Sequence, residues 1–170
     1  AEFTVYQDIN YSDCENIVEV GCGVGAQTEI LLRRFPNLKV TGIDLSQEQV
    51  SAAKTHLKKC PWAKGRYQYQ QMNAHDMRFS SNLFDGAFIC WTLEHIPDPA
   101  RVLAEIRRVL KPGAKIYITE VMNASFFLEP YSPAVLKYVM AFNDFQYDNG
   151  GDPFIGAKLG NLLMAAGFRD

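Results

Sequence analysis

Short runs rich in β-branched and apolar residues alternate along this chain with longer segments of helical spacing. Ile17, Val18 and Val20 make the first run, over residues 16–21. Residues 25–35 follow with Ile30, Leu31 and Phe35 spaced for one buried helical face, and Pro36 stands beyond the end. Residues 38–44 read as a second strand. Ser46 then caps a helix running to about residue 59, with Gln49 completing a capping box. Residues 66–72 alternate as a third strand, and residues 84–90 form a more apolar fourth, suited to the centre of a sheet. Asp98 followed by Pro99 opens a helix whose core stripe is Leu103, Ile106, Val109 and Leu110. Lys111-Pro112-Gly113 ends that helix, and residues 114–121 make a fifth strand.

Such alternation predicts an α/β fold, a parallel sheet joined by crossover helices. The segment 123–151 breaks the pattern. It carries Phe126, Phe127, Tyr131, Tyr138, Phe142, Phe145 and Tyr147, with weak periodicity except over a helix-like stretch at 133–145. It follows the fifth strand, on the side where open α/β sheets hold their ligands, and that position favours a substrate lid at about 123–155 over mere packing for the next helix. A closing helix is expected at about 156–166. The chain starts at Ala1 and ends in Ala166-Gly167-Phe168-Arg169-Asp170, a helix stop and the opening of a further strand. The expectation is therefore sequence missing at both ends and perhaps internally.

Composition narrows the class. With 170 residues, the chain is expected to be one domain, its core at about 16–122. A hydrophobic content of 48% and a charged content of 21% are those of an ordinary globular protein. The formal charge of −2 and the sparse basic cluster Lys58, Lys59, Lys64 and Arg66 give no nucleic-acid footprint. No apolar run approaches the ~20 residues that span a bilayer, and no signal peptide is visible. Cys14, Cys22, Cys60 and Cys90 are scattered without a C-x-x-C pair, which predicts reduced thiols in a cytoplasmic protein and no metal site.

The candidate chemistry begins where the first strand meets the first helix. Gly21, Gly23 and Gly25 alternate there, a spacing that lets the backbone turn tightly and approach a ligand at a helix N-terminus. Glu19 just before them would repel a phosphate and suits a ligand carrying a cationic amine. Gly21-x-Gly23-x-x-Ala26 also fits the dinucleotide fingerprint, and Asp44, ending the second strand, serves a ribose in either case. The loop alone leaves a nicotinamide cofactor and S-adenosylmethionine (SAM) both open.

The later motifs separate them. Val18-Glu19-Val20-Gly21-Cys22-Gly23-Val24-Gly25, Thr41-Gly42-Ile43-Asp44-Leu45-Ser46, Asn73-Ala74-His75-Asp76-Met77-Arg78-Phe79, Leu93-Glu94-His95-Ile96-Pro97-Asp98 and Arg108-Val109-Leu110-Lys111-Pro112-Gly113 occur in that order. Together they resemble the class I SAM-dependent methyltransferases, in particular the small-molecule group related to ubiquinone-biosynthesis enzymes. The resemblance covers residues 16–121 and, more weakly, 156–168. It implies a Rossmann-like, doubly wound, mostly parallel sheet with helices on both faces, truncated before the last antiparallel strands. It also implies SAM as cofactor and S-adenosylhomocysteine as product.

By residue, the resemblance places Gly21, Cys22, Gly23 and Gly25 along the methionine part of SAM, with Glu19 near its ammonium or ordering the loop. Asp44 would hold the ribose and Leu45 would pack on the adenine. Asn73 and Ala74 would meet the adenine edge, and Cys90 would lie near the methionine moiety or the transferring methyl. Asn73 departs from the usual aspartate, though its carbonyl still accepts a hydrogen bond.

Glu94 and His95 are the weak candidates for a catalytic role, and a structural role in the loop is favoured for His95; no catalytic residue is assigned. Trp91 reads as a pocket wall, His56 as a solvated residue and His75 as part of the adenine loop. The expected reaction is in-line displacement onto an O, N, C or S atom of a small molecule. Two rivals remain. A nicotinamide-dependent oxidoreductase would want a Tyr-x-x-x-Lys pair, which is not evident, and a non-catalytic binding protein would carry a damaged cofactor loop, whereas this one is intact. The acceptor and the oligomeric state are not written in the chain.

Overall fold

The computed structural model describes residues 5–169. Five strands form one sheet: β1 (Asn16–Val20), β2 (Lys39–Asp44), β3 (Tyr67–Gln71), β4 (Phe84–Cys90) and β5 (Leu110–Thr119). Their order is β3-β2-β1-β4-β5, and each pairing among the described residues is parallel. The helices are α1 (Ala26–Arg34), α2 (Gln47–Leu57), α3 (Pro99–Val109), α4 (Pro133–Asp148) and α5 (Leu159–Ala165).

The chain runs outward from β1 to β3, then returns to place β4 on β1's other edge. That reversal opens a crevice beyond the carboxyl ends of β1 and β4, where ligands bind in doubly wound sheets. β1 sits between β2 and β4, with Val20 opposite Ile43 on one side and Ile89 on the other. Period-2 alternation divides its side chains. Ile17 joins one core with Leu31 and Leu32 of α1 and Val50, Ala53 and Leu57 of α2. Val18 and Val20 join the other with Val102, Leu103, Ile106 and Val109 of α3, against which Leu159, Leu162 and Leu163 of α5 pack. Helices thus cover both faces. Tyr6 and Tyr11, before β1, are also buried, and the Tyr11 hydroxyl donates to the Ala87 carbonyl at 2.5 Å.

Local chemistry accounts for the element ends. Gly25 caps α1 from the left-handed region at φ 79°, without a side-chain cap. The Ser46 hydroxyl accepts the Gln49 N–H at 3.2 Å, and Asp98 accepts that of Arg101 at 3.1 Å; caps of this kind contribute about 1 kcal/mol each. Three boundaries differ from the sequence reading by more than two residues. β5 begins at Leu110 instead of 114, because Leu110 pairs with Phe84 before a register shift brings Lys115 opposite Gly86, with Gly113 at φ 78° in the intervening turn. α4 continues beyond 145 to Asp148. The closing helix is shorter, a 3₁₀ turn over Ile155–Lys158 and then α5, because Gly156 is held against the Val121 carbonyl at 2.8 Å. No helix among the described residues is long and apolar enough to cross a membrane.

Candidate functional site

A cavity of about 570 Å³ opens at the carboxyl ends of β1, β2 and β4. Its floor is the glycine loop. The Gly21 and Cys22 N–H groups both donate to the Ile43 carbonyl, at 2.9 and 3.0 Å, so the loop hangs from the end of β2. The Gly23 N–H donates to one oxygen of Asp44 and the Ser46 N–H to the other, each at 2.9 Å. The glycines are required here: Gly21 and Gly23 stand at φ 73° and 48°. A Cβ at Gly21 would collide with the Thr92 side chain, whereas one at Gly23 would meet nothing within 4 Å.

Gly21, Gly23, Asp44, Leu45, Asn73, Ala74 and His95 line the cavity, together with Trp91 and His75. Leu45 is 69% exposed, an apolar side chain held out at the rim while Gln71 binds its carbonyl at 3.1 Å. The Asn73 side-chain oxygen accepts the His75 N–H at 2.9 Å and lies 3.1 Å from the His75 Nδ1, while the Asn73 main-chain carbonyl accepts the Asp76 N–H at 3.1 Å and closes the 73–76 turn.

Glu19, Cys22, Gly25, Cys90 and Glu94 are not among the lining residues. Alternation along β1 sends Glu19 toward α1, where it is 1% exposed and one oxygen accepts the Thr28 hydroxyl. Its other oxygen is buried with no hydrogen-bond partner among the described residues. Burial pushes the Glu19 carboxyl up to about 8; the Thr28 bond opposes that rise and nearby Asp44 adds to it. Cys22 and Cys90 turn into the same core. Burial, with Glu120 and Glu19 nearby, pushes the Cys90 thiol up to about 12, so it is a neutral wall behind the site. Gly25 closes against the Tyr69 hydroxyl and Leu57.

Glu94 is buried under the segment that follows β4. One of its oxygens accepts the Gln146 amide at 2.7 Å, and its backbone carbonyl accepts the Asp152 N–H at 2.8 Å. His95 is largely exposed, 3.7 Å from the other Glu94 oxygen. His56 is more engaged than a solvated residue: its Nε2 lies 2.8 Å from a Glu29 oxygen. Thr92, Gln49, Met72, Val24, Ile96 and Pro97 also line the cavity. Met72 ends the third strand of the sequence reading and Thr92 stands two residues beyond the fourth, which is the available signal; Gln49 reads from the sequence only as part of a helix cap. Gln146 and Glu120 gave no local signal, because they reach the site from distant segments.

This arrangement meets its counterpart outside the chain: the family described as "Methyltransferase domain" matches residues 18–118. The chain belongs to the methyltransferase domain family. Among curated relatives, O-methyltransferase cnsE of Penicillium expansum is 34% identical over 157 residues, 91% of this chain and 52% of that protein. The ubiquinone biosynthesis O-methyltransferase of Aeromonas salmonicida is 34% identical over 109 residues, 63% of this chain and 43% of that protein. The chain spans about half the length of the first of these relatives. Among solved structures, phosphoethanolamine N-methyltransferase 2 of Haemonchus contortus, in complex with S-adenosyl-L-methionine, superposes with a TM-score of 0.69 at 25% identity, over 92% of this chain and 33% of its own. The [4+2]-cyclase SpnF superposes with a TM-score of 0.69 at 27% identity, over 89% of this chain and 51% of its own. The family match thus spans nearly all of the described sheet, which runs from Asn16 to Thr119.

Proposed function

We propose that this chain is the SAM-binding domain of a methyltransferase that transfers a methyl group to a small-molecule acceptor. In this reading the chain is one domain, with the core at about 16–122, a substrate lid at about 123–155 and, closing it, the 3₁₀ turn Ile155–Lys158 and α5. The observation that carries it is the cavity bounded by Gly21 and Gly23 on one side and by Asp44, Leu45, Asn73 and Ala74 on the other. The residues present fit SAM: Gly23 lines the cavity with no protein atom within 4 Å of where a Cβ would stand, so its backbone lies open to a ligand, and Asp44 stands at the strand end with lone pairs free beyond its two backbone donors.

SAM supplies a methyl already activated on a sulfonium centre, so the protein has to orient and shield rather than activate. Gly21 and Gly23 give the backbone close approach. Asp44 accepts from ribose hydroxyls, Leu45 packs on the adenine, and Asn73 and Ala74 meet its edge. Glu19 orders the loop through Thr28, while Gly25, Cys22 and Cys90 support the floor from behind. Trp91, Ile96 and Pro97 exclude water at the mouth. His95 and Glu94 shape the turn after β4, and no residue is assigned as a general base; an acceptor of low pKa or a soft nucleophile needs none. The four free cysteines, all buried, support a cytoplasmic setting. No nucleic-acid partner is proposed.

Calorimetric titration with SAM, S-adenosylhomocysteine and NAD tests the cofactor, and a metabolite screen with labelled SAM tests the transfer. Binding of NAD without binding of SAM or its product would overturn the reading. SAM binding without transfer to any acceptor would reduce it to a cofactor-binding module.

A further inference from the structure

Glu120 lies just past β5, outside every motif in the chain. One of its oxygens accepts two backbone N–H groups, those of Thr92 at 2.7 Å and Leu93 at 2.6 Å. The other is buried with no hydrogen-bond partner among the described residues. Both donors belong to the turn that leaves β4 and forms one wall of the cavity through Trp91, Thr92 and His95. That turn is strained, because Trp91 holds φ 52°, a left-handed conformation that a bulky residue rarely adopts. It is also packed tightly: Thr92 occupies the space a side chain at Gly21 would need, and its hydroxyl lies 3.2 Å from the Cys90 carbonyl and 3.4 Å from that of Val20. A turn that stores strain stays in place only where its neighbours over-determine it. Two backbone bonds of this turn, His95 to Thr92 and Ile96 to Leu93, are internal, and the Glu94 carbonyl takes the Asp152 N–H; Glu120, together with the Trp91 N–H on the Thr119 carbonyl, ties the turn to the end of β5.

We propose that Glu120 is a positioning residue for the cofactor site. Its carboxylate, a charge-assisted acceptor for two adjacent N–H groups, presses the 91–95 turn against Gly21 and so sets the width of the cavity between the glycine loop and Trp91. The part of this proposal that concerns cofactor affinity rests on the reading of the cavity as a SAM site.

Two measurements on Glu120→Ala and Glu120→Gln test it, both in a Trp62→Phe background that leaves Trp91 as the sole tryptophan. Acrylamide quenching of Trp91 reports the turn without any ligand. It is expected to rise about twofold in Glu120→Ala and to stay at the parent value in Glu120→Gln, whose amide oxygen still accepts both N–H groups. Calorimetry with S-adenosylhomocysteine is expected to show affinity about tenfold or more weaker in the alanine variant and within about threefold of the parent in the glutamine variant. Parent-like quenching in Glu120→Ala, or glutamine and alanine variants equally impaired, overturns the proposal. Should Glu120→Ala not fold, Glu120→Asp, whose shorter side chain falls short of the turn, takes its place with the same expectations. A parent protein that does not bind S-adenosylhomocysteine sinks the SAM reading, and the quenching comparison then decides the role of Glu120 on its own.

Discussion

Asp44 accepts the Gly23 N–H at 2.9 Å, so the carboxylate proposed to meet the ribose also braces the glycine loop. Its second oxygen does the same for Ser46 at the start of α2. One side chain therefore holds two walls of the cavity. Asp44→Ala removes the ligand contact and both braces, and its affinity for S-adenosylhomocysteine is expected to fall by about 100-fold, with a stability loss of about 1–3 kcal/mol. Asp44→Asn retains one acceptor and is expected to lie between. Calorimetry and chemical denaturation check both; a parent-like affinity in Asp44→Ala would remove Asp44 from the site.

The first two glycines predict opposite balances of fold and binding. Alanine at Gly21 meets Thr92 and a φ of 73°, so Gly21→Ala is expected to destabilise the chain by about 2–5 kcal/mol. Alanine at Gly23 meets no atom within 4 Å, and only its φ of 48° costs, about 1 kcal/mol. Gly23 nevertheless lines the cavity, so Gly23→Ala is expected to melt close to the parent and bind S-adenosylhomocysteine poorly. Thermal melts with and without ligand separate these outcomes.

Glu19 makes stability depend on pH. Below the ordinary carboxylate value of 4.5 the folded and unfolded chains both hold its proton. Between there and about 8 only the folded chain holds it, so unfolding releases the proton and rising pH favours unfolding. This contribution is present in full below the unfolded pKa and is lost as pH rises through the folded one, with a slope of at most about 1.4 kcal/mol per pH unit. Glu19→Gln, neutral throughout, is expected to flatten the stability profile across that window and to be more stable than the parent at pH 9. Urea melts from pH 5 to 9 check it; identical profiles for the two proteins would place the Glu19 titration elsewhere.

Gln146 ties α4 to the turn beside the cavity through Glu94, at 2.7 Å. α4 presents an unusual face: Asn143 and Gln146 are its buried residues, while Tyr138, Phe142, Phe145 and Tyr147 are exposed. Its anchorage thus rests on polar bonds. Gln146→Ala strands the buried Glu94 oxygen and is expected to cost about 1–3 kcal/mol. Faster proteolysis within residues 133–148 is the expected signature of the loosened α4.

Much of the fold was legible before the structure. Strand and helix periodicity is local, and the caps at Ser46 and Asp98 depend on residues three positions apart. The fourth strand, residues 84–90, stands as read, because a near-continuous apolar run suits a strand covered on both faces. The boundaries that moved did so for tertiary reasons: β5 gained Leu110 from pairing with Phe84, and Gly156 was held by Val121. The face on which Glu19 lies follows from alternation, but what it meets there, Thr28 of α1, depends on how the helix packs.

The sequence by itself determined the order of strands and helices, the glycine turn that forces the backbone close to a ligand, and the acid at the end of β2. These follow from short-range sterics and periodicity, which a single chain displays openly. Only the tertiary structure decided which candidates face the cavity and which support it from behind. Glu120 meets Thr92 across 28 positions and Gln146 meets Glu94 across 52. Contacts at such separations leave no periodic trace, because they arise when the sheet order brings the ends of β4, β5 and α4 together.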